Sequence, residues 1–345
     1  MLESTRYATA QLQVNLLRSL AEVSPALGID ADRLCIGLGF DVADLSNPQS
    51  RVSYRQAFQM IRRALEVTKS RDRGLGLDMS THETIASMGL VGYAMLTSAT
   101  LERAIELGIA MQKQAGALLD FEKVQDAECF SIKVTCSFHE PDIQTFLVEE
   151  AFGLFLNVAR TLVGNDFTPA GIHLSHPKPV YAAQYEELFK CPVRFEQKDN
   201  VFTFDSRWAN KPIVTHDALS NRQVLELLQV TQPQSSYESE FIESIERIVR
   251  RDLRHTISLS SVASQLCMSD RTLRRRLTEH GISYQAVLDE LRKNRAISLL
   301  RNSRLTLDEV AYEVGFSDAH NFRRAFKRWT GHGPRQSMPL ETSPE

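Results

Sequence analysis

The sequence predicts two domains: a mixed α+β N-terminal domain and an all-α C-terminal domain with two helix-turn-helix units joined by a long linker helix. Three observations support this prediction. Strand-like alternation occurs only in the first two thirds of the chain, the charge balance reverses after them, and the last third contains an internal repeat of about 48 residues. We place the first domain at residues 1–229, a linker at 230–240 and the second domain at 241–345.

The distribution of charge separates the two domains. The whole chain of 345 residues has 40 Lys and Arg against 43 Asp and Glu, a net charge of -3. Residues 247–340 contain 18 basic and 9 acidic side chains, or +9, whereas residues 1–246 contain 22 and 32, or -10. A basic C-terminal third favours a polyanionic partner for that third alone, although a merely solvated basic surface gives the same count.

Helical periodicity dominates the first part of the N-terminal domain. Apolar residues recur at helical spacing in three blocks, residues 8–23, 54–69 and 81–119. The third block is broken near residues 98–100, where Thr100 is placed to cap a second helix that runs through Met111.

The period changes in the stretch FSIKVTCSF. Phe130, Ile132, Val134, Cys136 and Phe138 alternate with more polar residues, which predicts a half-buried strand. A further helix is predicted over residues 143–163, and short strands over 171–175, 193–196 and 201–204. The first domain is therefore expected to be mixed α+β, with more helix than strand.

The polar stretch VTQPQSSYESE, residues 230–240, has the composition of a linker. The strand signal disappears after it. A helix is predicted over residues 240–254, and nearly all of residues 259–338 fits helices that are interrupted at Gly281, Gly315 and Gly331.

The second domain contains two similar copies, LSSVASQLCMSDRTLRRRL and LDEVAYEVGFSDAHNFRRAF. Each copy fits a short helix, a tight turn and a second helix that begins at a serine, Ser269 or Ser317. Ala263 and Ala311 lie where two crossing helices need a close approach, and Gly315 relieves the second turn. This is the pattern of a helix-turn-helix, whose second helix enters the major groove, although one copy alone fits any tight helical hairpin.

The last repeat helix has an apolar stripe of Phe322, Phe326 and Trp329 at i, i+4 and i+7. Ser317 is expected to be its N-cap, and Gly331 to follow its last turn. We expect the stripe to anchor the helix, so that the opposite face is presented in a fixed geometry.

An amphipathic helix is predicted over residues 284–302, between the two copies. Nineteen residues span ~28 Å. With the width of the flanking units, a rigid helix of that length sets the two reading helices about one DNA turn, ~34 Å, apart.

The second domain resembles the DNA-binding domain of AraC/XylS-type transcription regulators, in which two such units are joined by one long helix. The residues that match are Ala263, Leu266, Ser269, Leu273, Arg292, Ala296, Leu299, Leu300, Ala311, Gly315, Phe316, Ser317, Phe322, Ala325, Phe326, Lys327, Gly331 and Pro334. Leu277, Ser337 and Met338 depart from the family pattern, which leaves the packing of the last turn open.

Three stretches of the first domain, RGLGLDM, GLVGYAMLTSATLERAIEL and VFTFDSRWANKPI, resemble the N-terminal domain of a subset of these regulators that includes ornithine-utilisation-type ones. The resemblance implies effector sensing and self-association, and it names neither the effector nor its contacts. Met79, Met88, Met95 and Met111 fit a pocket lining, but also fit ordinary core packing, which we favour.

The resemblance implies base-reading side chains on the second helix of each unit. They are Arg271, Arg274, Arg275, His320, Asn321 and Arg324. Arginine pairs with guanine O6 and N7, and asparagine with adenine N6 and N7. Phosphate contacts are expected from Ser269, Ser317, Arg323, Lys327 and Arg328. The alternatives are arginines that touch only phosphate, and basic side chains that serve only solubility.

The residues favour a cytoplasmic bacterial transcription regulator over an enzyme. The expected partners are double-stranded promoter DNA, a small-molecule effector, RNA polymerase and a second copy in a homodimer, with no membrane, cofactor or metal. We find no P-loop, HExxH or nucleophile elbow, no CxxC among five cysteines, and no cluster around the HxxH of His173 and His176. Two alternatives stay open: an enzyme whose C-terminal region serves a protein partner or RNA, and an effector-independent architectural DNA binder. Activation and repression are not distinguished.

Overall fold

A five-stranded sheet and the helices around it form the first of two units in the computed structural model. The structure describes residues 7–68, 74–125, 128–230, 239–255, 257–302 and 305–337. The first unit takes in residues 1–35 and 41–239 as far as they are described. Its strands are β1 (Leu12–Gln13), β2 (Arg51–Val52), β3 (Leu119–Gln125), β4 (Cys129–Cys136), β5 (Gly171–His173), β6 (Val193–Arg194) and β7 (Asn200–Asp205).

The large sheet has the strand order β3-β4-β7-β5-β6 and is antiparallel except for the β5–β6 pair, while β1 and β2 form a separate antiparallel pair. The predicted alternation in β4 is confirmed, because Phe130, Ile132 and Val134 are buried. Phe130 lies opposite Phe204 and Ile132 opposite Phe202 on β7. Strand β3 was not predicted; it pairs with β4 along its whole length.

Ten α-helices surround or extend the sheet within the described part of the first unit. They are α1 (Asn15–Val23), α2 (Ala31–Cys35), α3 (Val42–Leu45), α4 (Tyr54–Thr68), α5 (Leu75–Ser80), α6 (Leu90–Leu96), α7 (Leu101–Ala110), α8 (Pro141–Val163), α9 (Ala183–Phe189) and α10 (Ala218–Val230). The helix predicted over residues 8–23 is correct only from Asn15, since Leu12 and Gln13 pair with β2. Thr100 caps α7 as predicted, accepting a hydrogen bond from the backbone N–H of Arg103 at 3.3 Å.

Helix α8 is the longest of the first unit and packs closely against α5. A Cβ atom on Gly153 of α8 lies 1.9 Å from the Ser80 hydroxyl oxygen, and one on Gly76 of α5 lies 2.4 Å from the Phe146 carbonyl oxygen. Only glycine fits at either position. This contact brings the middle of α8, with its two adjacent glutamates Glu149 and Glu150, against the α5 segment and the loop that follows it.

The second unit is helical and contains residues 36–40 together with the described residues from 240 onward. Its helices are α11 (Glu240–Arg250), α12 (Leu259–Gln265), α13 (Asp270–Glu279), α14 (Tyr284–Asn302), α15 (Leu307–Glu313) and α16 (Ala319–Thr330). The long helix predicted over residues 284–302 is confirmed by α14, while the helix predicted over 240–254 ends at Arg250. Most of the predicted linker, residues 231–238, lies outside the described residues.

Two separate hydrophobic cores share helix α14. The first core joins Val287, Leu288 and Leu291 of α14 to α11, α12 and α13. The second joins Ala296 and Leu300 of α14 to α15 and α16. Because one continuous helix contributes to both cores, it holds the two helix-turn-helix units in a fixed relation.

The short segment Ile36–Phe40 packs with α11 in the second unit. The buried Arg247 guanidinium donates a hydrogen bond from Nη1 to the Gly39 carbonyl oxygen at 2.9 Å. Gly39 has φ +80°, and a Cβ there lies 2.2 Å from the Ser244 hydroxyl oxygen, so this contact requires glycine. The sequence did not predict that five residues from this part of the chain pack with α11.

Candidate nucleic-acid interface and ligand cavity

The first helix-turn-helix consists of α12 and α13. Ser269 caps α13 as predicted, its hydroxyl oxygen accepting a hydrogen bond from the backbone N–H of Thr272 at 3.2 Å. Leu273 and Leu277 on the inner face of α13 are fully buried in the first core. Leu277 therefore fills the place at which the family pattern differs.

The predicted base-reading arginines of α13 lie on its outer face. Arg271, Arg274 and Arg275 are all exposed. Arg275 pairs with Glu279, with 2.8 Å between Nη1 and Oε1. Arg276 behaves differently, because its guanidinium lies 5.7 Å from the ring centroid of Phe241 and belongs to the packing of the unit.

The second helix-turn-helix consists of α15 and α16, and α16 begins one residue later than predicted. Its N-cap is Asp318 and not Ser317, so that prediction was wrong. Asp318 Oδ1 accepts a hydrogen bond from the backbone N–H of Asn321 at 2.7 Å, and this bond holds the pKa of Asp318 below its usual value. The extra residue of the second copy explains the shift, since it places the aspartate where the helix amides need an acceptor. Gly331 follows the last turn in the left-handed conformation, as predicted.

The predicted contact residues of α16 are also on its exposed face. His320, Asn321, Arg323, Arg324, Lys327 and Arg328 are exposed, while Phe322 and Phe326 are fully buried. Asn321 Nδ2 donates to Asp318 Oδ2 at 2.7 Å, and Arg328 Nη2 lies 3.1 Å from Asp289 Oδ2 on α14. Trp329 is partly buried against Phe316, with 5.8 Å between ring centroids, and anchors the helix as predicted.

Within the second unit, Arg292 on α14 contacts the turn of the second helix-turn-helix. Its guanidinium is buried, lies 5.2 Å from the ring centroid of Phe316 and donates to the Gly315 carbonyl oxygen at 3.4 Å. Nearby, the Arg254 guanidinium pairs with Glu313 of α15. Sequence reasoning found Arg292 only as a residue that matches the family, and it missed Arg254, because neither contact follows from helical periodicity.

A cavity lies inside the first unit between the sheet and the helices. Its wall is mostly apolar and includes Ile105 of α7, Phe121 of β3, Ile132 of β4, Phe155 of α8 and Phe202 of β7. Its volume is about 110 Å³, close to the ~150 Å³ of an engineered apolar cavity that takes up a benzene ring. A ligand of roughly that size fits it.

Two buried carboxyl groups, Glu83 and Glu150, interrupt the apolar wall. They are 3% and 6% exposed, and their side chains hydrogen-bond to each other. Burial raises the pKa of both, and the nearby Glu83 raises the pKa of Glu150 further. We therefore assign the proton to Glu150, which donates it to Glu83.

A third buried carboxyl group, Glu149, forms a separate cluster with two tyrosines. Tyr181 donates to Glu149 Oε1 at 2.8 Å, Tyr185 donates to the same oxygen, and the Tyr185 hydroxyl lies 3.3 Å from His176 Nε2. Burial raises the pKa of Glu149 to about 7, against the lowering effect of both tyrosines. His176 thus takes part in a hydrogen-bond cluster, and no group of three metal-binding side chains occurs among the described residues.

A family model described as the arabinose-binding N-terminal domain of AraC transcription regulators matches residues 28–213. The chain belongs to the AraC family of transcription regulators. A helix-turn-helix domain model matches residues 262–338, over the two units described above. This AraC-family protein is thus a DNA-binding transcription regulator with an N-terminal ligand-binding domain, and the resemblance deduced from its sequence is confirmed.

Relatives of this AraC-family chain include two regulators of Pseudomonas aeruginosa. The ornithine utilization regulator is 27% identical over 290 residues, which cover 84% of this chain and 85% of that protein. The transcriptional regulator VqsM is 27% identical over 276 residues, 74% of this chain and 81% of that protein. The crystal structure of the regulator CdpR from the same species is 24% identical, with a TM-score of 0.42 over 79% of this chain and 90% of that chain.

The methionines that fit either a pocket lining or core packing in this AraC-family chain divide between the two places. Met88 and Met95 line the cavity, Met79 is fully buried in the core, and Met111 is not part of the lining. The glutamate pair was missed, since Glu83 and Glu150 are far apart in the chain. In the parts of the chain that the structure describes, no helix has the length and apolar composition of a membrane span.

Proposed function

We propose that this AraC-family regulator reads promoter DNA with α13 and α16, under the control of a small molecule held in its first unit. Base contacts are assigned to Arg271, Arg274, Arg275, His320, Asn321 and Arg324, and phosphate contacts to Ser269, Ser317, Arg323, Lys327 and Arg328. One observation carries the proposal: all of these side chains are exposed on, or directly before, two helices whose opposite faces are buried in cores that share α14. Such helices present polar side chains without losing their own packing.

Three of the assigned arginines are ready to bind. Within the described part of the chain, the guanidinium groups of Arg271, Arg274 and Arg324 have no ion-pair or hydrogen-bond partner. A guanidinium with all of its donors available can bind guanine O6 and N7 together, which is worth ~1–3 kcal/mol of discrimination at one base pair. We therefore rank these three first among the base-reading candidates.

Other assigned side chains already have a partner in the protein. Asn321 donates one of its two amide N–H groups to Asp318, and a bidentate contact with adenine needs an N–H donor at N7. Arg275 and Arg328 are paired with Glu279 and Asp289. Because these ion pairs are exposed, each costs little to break, roughly 0–1 kcal/mol.

Helix α14 sets the spacing of the two reading helices in this proposal. Its 19 residues span ~28 Å. With the width of the two units, that length suits two successive major grooves on one face of the duplex, ~34 Å apart. The expected operator thus has two short blocks about one helical turn apart.

The remaining parts of the proposal concern the chain as a whole. We assign residues 1–229 to effector binding and dimerisation, residues 230–240 to a linker and residues 241–345 to DNA binding. We further propose a homodimer that works in the cytoplasm, contacts RNA polymerase and has no catalytic role. The charge distribution, -10 for residues 1–246 and +9 for residues 247–340, supports DNA binding by the second part alone.

The test is a selection from random duplexes with the full-length protein at fixed, near-physiological salt, with and without candidate small molecules. The double variant Arg271→Ala, Asn321→Ala is compared with Arg33→Ala, Asn165→Ala, which removes the same groups from exposed positions of the first unit. We expect a two-block motif from the wild type and the control, and a weakened motif from the first variant.

Three outcomes contradict the proposal. Binding without any enriched motif, unchanged by the double variant, points to an architectural DNA binder. No binding at all at that salt points to a protein or RNA partner for the second unit, and turnover that survives removal of residues 236–345 supports an enzyme.

A further inference from the structure

The polar end of the cavity in the first unit is unusual because one acceptor there has no partner. Glu83 is 3% exposed, and its Oε2 atom makes no hydrogen bond within the described part of the chain. A buried carboxylate oxygen without a donor is costly, by roughly 1–3 kcal/mol or more. An unpartnered acceptor on a residue that lines a cavity can be satisfied by a donor group of a ligand.

The loop that carries Glu83 is held in place from α8. Asn157 Nδ2 donates to the carbonyl oxygens of Ser80 and Glu83 at 2.7 and 3.1 Å. The Glu83 side chain is further bound by Glu150 and Ser19. The Glu83 side chain is therefore held in the cavity wall and is not a surface carboxylate turned inward.

The other polar side chains of the lining each make a hydrogen bond to the backbone. Asn15 Nδ2 donates to the Ala115 carbonyl oxygen at 3.1 Å, Gln112 Oε1 accepts from the Phe121 N–H at 2.7 Å, and Ser87 Oγ accepts from the Thr84 N–H at 3.3 Å. These bonds shape the wall. Among the polar side chains of the lining, Glu83 and Glu150 are buried, whereas these three are partly exposed.

The charged groups of the lining determine which charge a bound ligand can carry. As far as the structure describes the chain, the lining contains no lysine, arginine or histidine. The positive charge of Arg18, which is not part of the lining, lowers the pKa of Glu83. A ligand carboxylate or phosphate would therefore lose its water next to two glutamates without gaining a cation, which is strongly unfavourable.

We propose that this cavity binds a primary amine with a compact apolar body, about one aromatic ring or a short alkyl chain, whose ammonium group donates to Glu83 Oε2. This inference rests on the proposed effector control and assigns the chemical class of the effector. The apolar body contacts Ile105, Phe121 and Phe155, and the ammonium offsets the negative charge of the glutamate pair. An α-amino acid such as ornithine fits poorly, because its carboxylate has no partner in the lining.

The test is a calorimetric titration of the full-length wild type with four probes of similar size and different head groups: 2-phenylethylamine, 2-phenylethanol, 3-phenylpropanoate and L-ornithine. We expect the amine to bind at least roughly tenfold more tightly than the alcohol, the value for one lost charge-assisted hydrogen bond. We expect no measurable binding of the acid or of ornithine. Equal affinities for the amine and the acid would overturn the proposal.

A pair of variants assigns the contact to Glu83. Glu83→Gln keeps the shape and removes the charge, and Glu187→Gln makes the same change at an exposed position of α9. Amine affinity should fall roughly tenfold or more in the first and stay unchanged in the second. An unchanged affinity in a folded Glu83→Gln protein contradicts the proposal, and if that variant does not fold, the four-probe series on the wild type decides.

A DNA-binding measurement separates this inference from the proposed function. Affinity for the selected operator is measured by fluorescence anisotropy with and without saturating 2-phenylethylamine. A change that is absent in Glu83→Gln supports both ideas. Amine binding that leaves DNA affinity unchanged keeps the amine site and overturns effector control by it. DNA affinity that responds only to an anionic or neutral molecule keeps effector control and overturns the amine site.

Discussion

The buried Arg292 guanidinium lies 5.2 Å from the ring centroid of Phe316 and 3.4 Å from the carbonyl oxygen of Gly315, and so ties the long helix α14 to the turn of the second helix-turn-helix. Burial lowers the pKa of Arg292. The side chain nonetheless stays charged at neutral pH, because the ordinary pKa of an arginine is far above 7. The family match at this position thus has a physical basis in the contact between α14 and the second helix-turn-helix.

Removing this joint should loosen the second unit. We expect Arg292→Ala to destabilise it by about 2 kcal/mol, from one charge-assisted hydrogen bond and one cation–π contact. Thermal unfolding followed by Trp329 in a Trp208→Phe background measures the effect. Arg301→Ala, an exposed arginine of the same helix, is the matched control and should leave the unfolding of the second unit unchanged. Equal effects of the two changes would contradict the role of Arg292.

Two glycines of the second unit separate backbone strain from steric clash. Gly315 and Gly331 have nearly the same φ, +80° and +83°. A Cβ on Gly315 lies 2.4 Å from the Leu253 carbonyl oxygen, whereas one on Gly331 meets nothing within 4 Å. Gly331→Ala should cost roughly 1 kcal/mol, and Gly315→Ala several times more. Urea unfolding of both variants provides the comparison, and similar losses would show that the contact with Leu253 is easily relieved.

Salt dependence distinguishes phosphate contacts from base contacts. Lys327→Ala should weaken binding to all sequences alike and reduce the slope of log affinity against log salt by about 1. Arg271→Ala should instead reduce the preference for the operator over a scrambled duplex, by ~1–3 kcal/mol. Titrations at four salt concentrations test both. A loss of sequence preference in Lys327→Ala would reverse the two assignments.

The carboxylate of Asp318 lies at the start of α16, and in the proposed complex with DNA it would repel the phosphates. Asp318→Ser keeps an N-cap acceptor, removes the charge and frees the Asn321 amide. We expect tighter operator binding, most clearly at low salt. Asp308→Ser removes the same charge from the exposed first turn of α15 and serves as the control. If both variants gain equally, net charge alone accounts for the effect.

Glu149 should make the stability of the first unit depend on pH. Its pKa is about 7 in the folded chain and close to 4.5 when it is unfolded, so the folded state binds the proton more tightly. Stability from this group is full below about pH 4.5 and is lost as the pH rises to about 7, by at most about 3 kcal/mol. Glu149→Gln should lose less stability than the wild type between pH 5 and pH 8. The pKa values of Glu83 and Glu150 are raised as well, and both groups titrate in all three proteins. Glu187→Gln is therefore the control, since only the difference between the two variants reports on Glu149.

Local patterns predicted most of the second unit. The helix over residues 284–302 was placed correctly because apolar residues, among them Leu288, Leu291 and Leu300, recur at helical spacing. The internal repeat revealed both helix-turn-helix units, and the exposed positions of Arg271 and Arg324 followed from the spacing of Leu273 and Phe322. The N-cap of α16 was misplaced by one residue, because Ser317 and Asp318 are both good caps and only the backbone geometry decides between them.

The first unit was less predictable because its elements depend on distant partners. Strand β3 has a weak pattern of its own and is stabilised by pairing with β4. Residues 8–14 continue a helical pattern, yet Leu12 and Gln13 pair with Arg51 and Val52. In both cases hydrogen bonds to another part of the chain outweigh the local preference.

By itself, the sequence determined the two-part organisation, the helix-turn-helix repeat, the basic outer faces of α13 and α16 and the family, since each of these depends on residues that are near one another in the chain. Only the tertiary structure brought Glu83 to Glu150, Arg292 to Phe316 and Ile36–Phe40 to α11. These contacts join residues far apart in sequence, and buried carboxyl groups and guanidinium groups take their chemistry from whatever the fold places beside them.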